Sequence, residues 1–284
     1  MIEDLIYDVG MNNGDDTAFY LARQYRVVAI EADPGLVAQA STRFAAELQQ
    51  GKLVILNVGI AAHEGQAQFW VNDVNSVWNS FDRSIAARGN LPHHAIDIPC
   101  INFRTVLEKY GTPFYLKIDI EGNDFLCLDA LSPDTRPAYV SVEMSELALL
   151  LQLRDLGYTQ FKCIDQFHLL PLTLPPDKSY RRYRLSEYLL RTRFVPIRVL
   201  RKLYGRQNLR ALLTGSRRQL GWSFPEGSSG PFGPQTPGNW KSWEEIATIW
   251  SHYTTHYQAE RTKSEYGFWC DLHARKERPA DHDG

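Results

Sequence analysis

The chain has 284 residues and only four cysteines, and none of them lies in a paired pattern. Cys100, Cys127, Cys163 and Cys270 are far apart, so neither a CxxC pair nor the spacing of a zinc site occurs. Scattered cysteines argue against a disulfide framework and against a structural zinc site. They favour a reduced, cytoplasmic protein.

Long hydrophobic runs are also missing. No apolar run approaches the roughly 20 residues of a membrane span. The first residues, MIED, lack the basic start of a secretory signal, and a predicted strand follows at once. Hydrophobic residues make up 44% of the chain and charged residues 23%, which is ordinary for a soluble globular protein. We therefore expect a soluble intracellular protein.

The net charge of -2 is unevenly distributed. Residues 177–218 contain thirteen Lys or Arg and two acids, which leaves 18 basic and 31 acidic residues elsewhere. This pattern predicts an acidic domain with a basic insert. The insert could dock an anionic acceptor, touch an anionic membrane surface, or form a solvated face that pairs with the acidic domain. No recognised RNA or DNA module occurs, so a nucleic-acid partner is not expected.

Strands and helices alternate along the first 58 residues, with strands predicted at 5–9, 26–31 and 52–58 and helices at 15–24 and 34–50. This order implies a parallel sheet with right-handed crossovers. The remaining strands are predicted at 66–71, 96–101, 114–118, 138–143, 160–164 and 266–273, and the remaining helices at 103–110, 125–131, 146–156, 185–213 and 242–257.

Three segments are expected in the domain organisation. They are a cofactor-binding core at 1–170, a basic helical and Gly/Pro-rich insertion at 171–265 that acts as a substrate lid, and a final strand with a polar tail at 266–284. Within the insertion, glycines and prolines at 227–240 are typical of a closing loop. A second loop, at 74–81, mixes aromatic, hydroxyl and amide groups that suit sugar recognition.

Carboxylates and glycines follow the first two strands. Gly10 and Gly14 allow the backbone to approach a ligand, and the next helix offers free N–H groups. Asp8 ends the first strand, and Glu31 ends the second, where an acid can accept both hydroxyls of a ribose. Because ligands bind outside the carboxyl ends of parallel strands, this pattern predicts a nucleoside pocket. The simpler alternative is a tight turn at the glycines and a helix cap at Glu31.

The spacing distinguishes between nucleotides. The chain lacks both the G-x-G-x-x-G fingerprint and a P-loop. Asp8 would repel a pyrophosphate but attract the ammonium of an amino-acid group. S-adenosylmethionine is therefore the favoured ligand, and the position of Asp8 argues against the alternative of an NAD-dependent enzyme.

Three stretches resemble the FkbM-type methyltransferases: YDVGMNNG at 7–14, Glu31 ahead of Asp33-Pro34, and LKIDIEG at 116–122. The resemblance covers about 5–165 and the last strand. It implies a class I, Rossmann-like α/β fold with a mostly parallel seven-stranded sheet and helices on both faces. It also implies S-adenosylmethionine as cofactor and methylation of a hydroxyl oxygen. By resemblance, the cofactor would be held by Asp8, Gly10, Asn12, Gly14 and Glu31, with Asn57 or its neighbours near the adenine.

Two features depart from the family pattern. Phe103-Arg104 stands where the family has a Leu-Asp pair, and the chain begins directly at the first strand, where the family carries helical structure. Family members differ widely in substrate. The resemblance therefore indicates the type of reaction more specifically than it indicates the methyl acceptor.

Three carboxylates at strand ends are candidates for catalysis: Asp119, Glu121 and Glu143. Nearby carboxylates raise one another's pKa, which suits a general base. Alternatively, the same three acids could bind a divalent cation, because their oxygen ligands fit Mg²⁺ or Ca²⁺. A metal site is not the favoured interpretation. Alternatively, Glu121 only pairs with Lys117 or caps the helix at Asn123. The histidines at 93, 94, 168 and 273 are weaker candidates.

These observations favour an S-adenosylmethionine-dependent O-methyltransferase that acts on a sugar, a glycan or a glycosylated metabolite. The alternative is a non-catalytic module that keeps the fold to bind a glycan or a partner. The sequence does not indicate the oligomeric state.

Overall fold

A computed structural model describes residues 1–176, 192–205, 217–225, 227–260 and 269–276, with the backbone alone at 256–260. The strands are β1 (Ile2–Val9), β2 (Arg26–Glu31), β3 (Leu53–Asn57), β4 (Gly59–Ile60), β5 (Gly65–Asn72), β6 (His93–Ile101), β7 (Pro113–Ile118), β8 (Tyr139–Glu143), β9 (Gln160–Asp165), β10 (Leu170–Pro171), β11 (Arg218–Gln219), β12 (Trp222–Ser223) and β13 (Cys270–Arg275). The helices are α1 (Asp15–Ala22), α2 (Pro34–Arg43), α3 (Ala45–Gln49), α4 (Arg83–Ala86), α5 (Phe103–Tyr110), α6 (Asp124–Asp129), α7 (Leu147–Asp155), α8 (Val195–Tyr204) and α9 (Trp243–Glu260).

Eight strands form the central sheet in the order β10-β9-β13-β8-β7-β1-β2-β3. Within this sheet, the neighbouring strands β8, β7, β1, β2 and β3 are all parallel. Strand β13 runs antiparallel to both β8 and β9. The predicted α/β class with a mostly parallel sheet is confirmed. The sheet is mixed and has an eighth strand, because the two-residue β10 adds to the edge of β9.

A smaller sheet of three strands, in the order β4-β6-β5, stands apart from the central one. The sequence predicted β5 and β6 but did not assign them to a separate sheet. Only Val58 separates β3 from β4, so the chain leaves the central sheet and enters the small one within a single residue. This junction places β4 close to the carboxyl end of β2.

The predicted helix at 34–50 is divided into α2 and α3. Asp33 caps α2 by accepting a hydrogen bond from the Gly35 N–H at 2.7 Å. Phe44 ends it with non-helical backbone angles and has a buried side chain that packs against Gly14. Burial of this ring explains the break, because tertiary packing outweighs local helix preference.

Each face of the central sheet has its own hydrophobic core. Leu116 and Ile118 of β7 point to the face that α5, α6, α7 and α9 cover. Tyr115 points to the opposite face, where it meets Phe19 and Tyr20 of α1. Because side chains alternate along a strand, Lys117 shares the face of Tyr115.

The described part of the insertion packs against this second face. Phe232 is buried and stacks on Tyr115 with ring centroids 4.7 Å apart. A Cβ on Gly230 would lie 2.7 Å from a methyl carbon of Leu169. The segment 228–236 therefore belongs to the core and is not a free loop, although a lid role for the whole insertion stays a prediction.

Two predicted elements lie partly outside the described residues. Of the basic helix predicted at 185–213, the structure describes α8. Of the strand predicted at 266–273, it describes β13, which pairs with β9 as expected. Within the described residues, no helix is long and apolar enough to cross a membrane.

Candidate functional site

A cleft opens at the carboxyl ends of β1, β2 and β7. It encloses about 880 Å³ of space, part of it open to solvent. The walls come from the β1–α1 turn, the end of β2, the β3–β4 junction, the loop at 76–81, the β7–α6 turn, and Gly227 with Ser228.

The β1–α1 turn has a backbone that requires glycine. Gly10 has a φ of +80°, and a Cβ there would lie 1.8 Å from the Asp119 carbonyl oxygen. Gly14 has a φ of +79°, and a Cβ there would press on Phe44. The N–H groups of Gly10 and Met11 both donate to the Ile30 carbonyl at 3.0 Å. The turn is thus fixed against both neighbouring strands.

Glu31 lies on the cleft wall with only 7% of its surface exposed. Its carboxylate accepts hydrogen bonds from the backbone N–H groups of Asn12, at 2.8 Å, and Asp33, at 2.9 Å. Burial raises the pKa of Glu31 to about 7. A carboxylate can accept about four hydrogen bonds, so capacity remains for a ligand's hydroxyls.

Asp8 lies behind the turn and not on the cleft wall. Its side chain is fully buried, accepts a hydrogen bond from the Thr17 hydroxyl at 2.6 Å, and lies 3.1 Å from the Lys117 ammonium. Asp8 and Lys117 are paired in the register of β1 and β7, which turns the carboxylate toward the lysine. Asp8 is therefore directed at Thr17 and Lys117 and not into the cleft, and its contact with a cofactor ammonium stays a prediction.

Lys117 joins the turn to the acids of the cleft. Its ammonium donates to the Gly10 carbonyl at 2.8 Å and lies 3.8 Å from Asp119 and 3.9 Å from Asp16. Burial alone would lower the pKa of Lys117, but the neighbouring carboxylates outweigh it and raise the pKa. Sequence reasoning missed this role, although a lysine within a buried strand needs an acidic partner.

The predicted catalytic acids, Asp119, Glu121 and Glu143, lie together and form what we call the carboxylate triad. Each offers an oxygen within 4.8 Å of the others. Asp119 and Glu121 line the cleft, whereas Glu143 lies beside them at the end of β8. Burial raises the pKa of all three, and that of Glu121 reaches about 7.

The partner of Glu121 differs from the one considered from the sequence. Its carboxylate lies 3.2 Å from Arg88, while Lys117 pairs elsewhere. Asp124, not Glu121, accepts hydrogen bonds from the N–H groups of Ile120 and Gly122 at the start of α6. Glu121 therefore does not cap α6.

Acids outnumber bases around this end of the sheet. Asp16 is buried and accepts hydrogen bonds from the Ser228 hydroxyl and from the Ser229 N–H. Asp271 of β13 is buried as well. Burial raises the pKa of both carboxyls. A cluster of buried carboxylates near one lysine favours a ligand that carries positive charge.

Asn57 supports the cleft without lining it. Its side-chain N–H₂ donates to the carbonyls of Glu31 and Ala32 at 3.0 Å. The next residues, Val58, Gly59 and Ile60, line the cleft together with Phe69 and Phe81. These apolar surfaces suit the flat ring of a base, so the neighbours of Asn57 are better placed for adenine than Asn57 itself.

The loop at 76–81 connects the two ends of the cleft. The Ser76 hydroxyl donates to the Asn12 side chain at 3.0 Å, and the Asn79 amide donates to Asp33 at 3.0 Å. The Ser80 hydroxyl donates to the Glu121 carbonyl at 2.7 Å. One loop thus contacts the β1–α1 turn, the N-cap of α2 and the backbone of Glu121.

Comparison with known proteins identifies the family. The model of the methyltransferase FkbM domain matches residues 8–167, which is more than half of the chain. The chain belongs to the FkbM methyltransferase family. The match confirms the resemblance, and the residues of this FkbM domain include all nine predicted site residues.

Solved structures similar to this chain share little sequence with it. A methyltransferase FkbM from Methylobacillus flagellatus KT is 12% identical, with a TM-score of 0.34 over 50% of this chain and 32% of the other. A phosphoethanolamine N-methyltransferase 2 from Haemonchus contortus, in complex with S-adenosyl-L-methionine, is 9% identical, with a TM-score of 0.37 over 97% of this chain and 49% of the other. The chain spans about a third of the FkbM structure. The comparison with curated proteins gives no match.

Among the residues that the structure describes, no histidine lines the cleft. His94 contacts Asp73 at 2.6 Å, and His168 contacts Asp165 at 2.8 Å. His93 contacts the Leu91 carbonyl at 3.0 Å. Burial lowers the pKa of His273 to about 3, which keeps this ring neutral. The acids are therefore the stronger candidates for catalysis.

Proposed function

We propose that this chain transfers a methyl group from S-adenosylmethionine to a hydroxyl of a sugar, a glycan or a glycosylated metabolite. One observation carries the proposal. The same cleft is lined by Glu31, which suits a ribose, and by Asp119 and Glu121, which suit proton removal. Family membership supports methyl transfer as the class of reaction.

The residues of the cleft fit the chemical parts of S-adenosylmethionine. Glu31 offers acceptor oxygens for the two ribose hydroxyls. The apolar wall at 58–60 offers contact for the adenine. The surplus of carboxylates favours a ligand with a sulfonium and an ammonium group. When bound, this cofactor supplies an electrophilic methyl group with a neutral leaving group.

Glu121 is the favoured general base. It lies on the cleft wall, and its pKa of about 7 suits proton transfer near neutral pH. A hydroxyl within about 3 Å could pass its proton to the Glu121 carboxylate. Asp119 has the same access, so it is the second choice. Alignment of the acceptor in the cleft can supply roughly 7–11 kcal/mol of the barrier reduction.

The sugar class of acceptor is supported by the loop at 74–81. Val77 and Asn79 of this loop line the cleft, and Trp78 lies between them. Amide and hydroxyl groups can bind sugar hydroxyls, while apolar groups cover sugar faces. Ser80 of the loop also donates to the Glu121 carbonyl, so an acceptor bound by this loop would lie near the proposed base.

Calorimetric titration with S-adenosylmethionine tests the proposal. We expect binding in the micromolar range and no response to NAD. Absence of binding at millimolar concentration would favour a non-catalytic module on the same fold. Incubation of a cell extract with labelled methyl donor, followed by mass spectrometry, would then identify the acceptor.

Addition of EDTA to the same assay tests the use of the carboxylate triad. If a carboxylate alone removes the proton, turnover is unchanged by EDTA and by added Mg²⁺. Loss of turnover with EDTA and recovery with Mg²⁺ would assign the triad to a bound cation, because its oxygens are ligands that this ion prefers.

A further inference from the structure

Helix α8 exposes large apolar side chains to solvent. Val195 is 65% exposed, Val199 51% and Leu203 73%. No residue of the ten-residue helix is buried. A soluble protein seldom leaves a contiguous apolar surface open without a use for it.

The apolar and basic residues of α8 are on different sides of the helix. At 100° per residue, Val195, Val199 and Leu203 follow one another at i, i+4 and i+8 along one side. Leu200 and Tyr204 extend this apolar side. The opposite side carries Arg198, Arg201 and Lys202. The basic residues thus form a separate side of the helix, which adjoins the apolar side at both edges.

The sequence that contains α8 is strongly basic. Residues 177–218, which contain the helix, have thirteen basic and two acidic residues. Arg198 and Lys202 are exposed on the helix, as is Arg193 just before it. The surface that complements this helix must be negatively charged and must also accept apolar side chains.

We propose that α8 lies on the surface of an anionic lipid bilayer. Apolar side chains of such a helix enter the boundary between headgroups and acyl chains, while flanking basic side chains reach the lipid phosphates. A bilayer offers both environments along the whole helix. A protein partner would need an apolar groove with an acidic rim of matching length. The proposal rests on α8 alone and does not depend on the methyl-transfer reaction.

Flotation of the full chain with vesicles tests this docking. The vesicles are phosphatidylcholine alone or phosphatidylcholine mixed with phosphatidylserine. We expect binding to the mixed vesicles only, and a decrease as salt is added. Arg198→Glu with Lys202→Glu, and separately Val199→Asp with Leu203→Asp, should each weaken binding by at least about tenfold.

Two control variants separate local from general effects. Lys52→Glu with Arg104→Glu changes the net charge equally, at exposed positions outside the insert, and should leave binding within about twofold. Leu220→Asp introduces a charge at an exposed apolar residue outside α8 and should also leave binding within about twofold. Equal binding to both vesicle types, no binding to either, or binding unaffected by the α8 variants would overturn the proposal. The proposal would also be overturned if the chain self-associates in sedimentation experiments and the variant Val199→Asp with Leu203→Asp abolishes this self-association.

Discussion

At the scale of one residue, Glu31 has a structural role in the turn and a position on the cleft wall that suits the proposed ribose contact. Its carboxylate holds the β1–α1 turn through the Asn12 N–H and still faces the cleft. Sequence reasoning identified it by its position at the end of a predicted strand. Asp33 caps α2, so the simpler explanation that Glu31 is only a helix cap does not describe the contacts.

Replacing Glu31 tests its contact with the ribose. We predict that Glu31→Gln weakens S-adenosylmethionine binding at least about tenfold, since hydrogen bonds to a charged group contribute about 1.5–3 kcal/mol. Calorimetry measures the affinity, and thermal unfolding checks that the fold is retained. Glu3→Gln, at an exposed position, is the matched control. An unchanged affinity would remove Glu31 from the ribose contact.

Replacing Glu121 tests the assignment of the base. We predict that Glu121→Gln lowers methyl transfer by about 10²–10⁴-fold, the usual contribution of a general base. The affinity for S-adenosylmethionine should change little, because the ribose contact lies elsewhere. Glu108→Gln, exposed on α5, serves as control.

The pH profile of the wild-type rate gives a second readout for Glu121. With a pKa of about 7, the ionised base increases as pH rises, so the rate should rise through this range. Full turnover by Glu121→Gln, with the same pH profile, would transfer the role to Asp119 or to a cation.

The pairing of Lys117 with Asp8 could not be predicted from the sequence motifs alone. The motif places both residues on the correct strands, but their partners depend on the register between β1 and β7, which are over a hundred residues apart. That pairing makes Asp8 a partner of Lys117. A local pattern contains no information about such a register.

At the scale of a structural element, the loop at 227–238 packs against the core, which its composition did not indicate. Its glycines and prolines suggested motion, yet Phe232 lies against Tyr115, Tyr20 and Phe19 of the core. The apolar content of this loop is low, so its one buried aromatic ring was not recognisable from composition. Only Gly227 and Ser228 of the segment reach the cleft.

Truncation of Phe232 distinguishes a packed loop from a mobile one. We predict that Phe232→Ala lowers the free energy of unfolding by about 3–5 kcal/mol, as for other buried aromatic residues. Urea unfolding measures this value. Phe125→Ala removes an aromatic ring that is 44% exposed and should have a much smaller effect. Equal effects of the two variants would show that the loop is not part of the core.

Most elements of the core could be predicted, because strands with short, apolar sequences alternate with amphipathic helices up to β9. The break at Phe44 and the separate sheet of β4, β5 and β6 could not. Both arise from long-range packing: one from the Phe44 ring against Gly14, the other from a change of sheet at Val58.

At the scale of the whole molecule, the buried carboxyls make stability depend on pH. Glu31 and Glu121 have pKa values of about 7 when folded and 4.5 ordinarily, so the folded chain binds their protons more tightly. From about pH 6.5 to about pH 7.5 the folded state loses these protons while the unfolded state has none to lose. The free energy of unfolding should therefore fall by about 1 kcal/mol as pH rises.

Urea unfolding at the two pH values checks this dependence. His273, with a pKa lowered to about 3, and Lys162, with one lowered to about 8, act in the opposite direction but mainly outside this range. The variant Glu31→Gln with Glu121→Gln should show a smaller dependence than the wild type. Stability that rises with pH in the wild type would contradict the assigned pKa shifts.

The position of the cofactor is tested most directly by a crystal structure with S-adenosylhomocysteine. We predict that both ribose hydroxyls lie within hydrogen-bonding distance of the Glu31 carboxylate, with the adenine against residues 58–60 and the sulfur facing Asp119 and Glu121. A crystal soaked at saturating concentration in which this cleft is empty, or in which the ribose lies away from Glu31, would contradict the account.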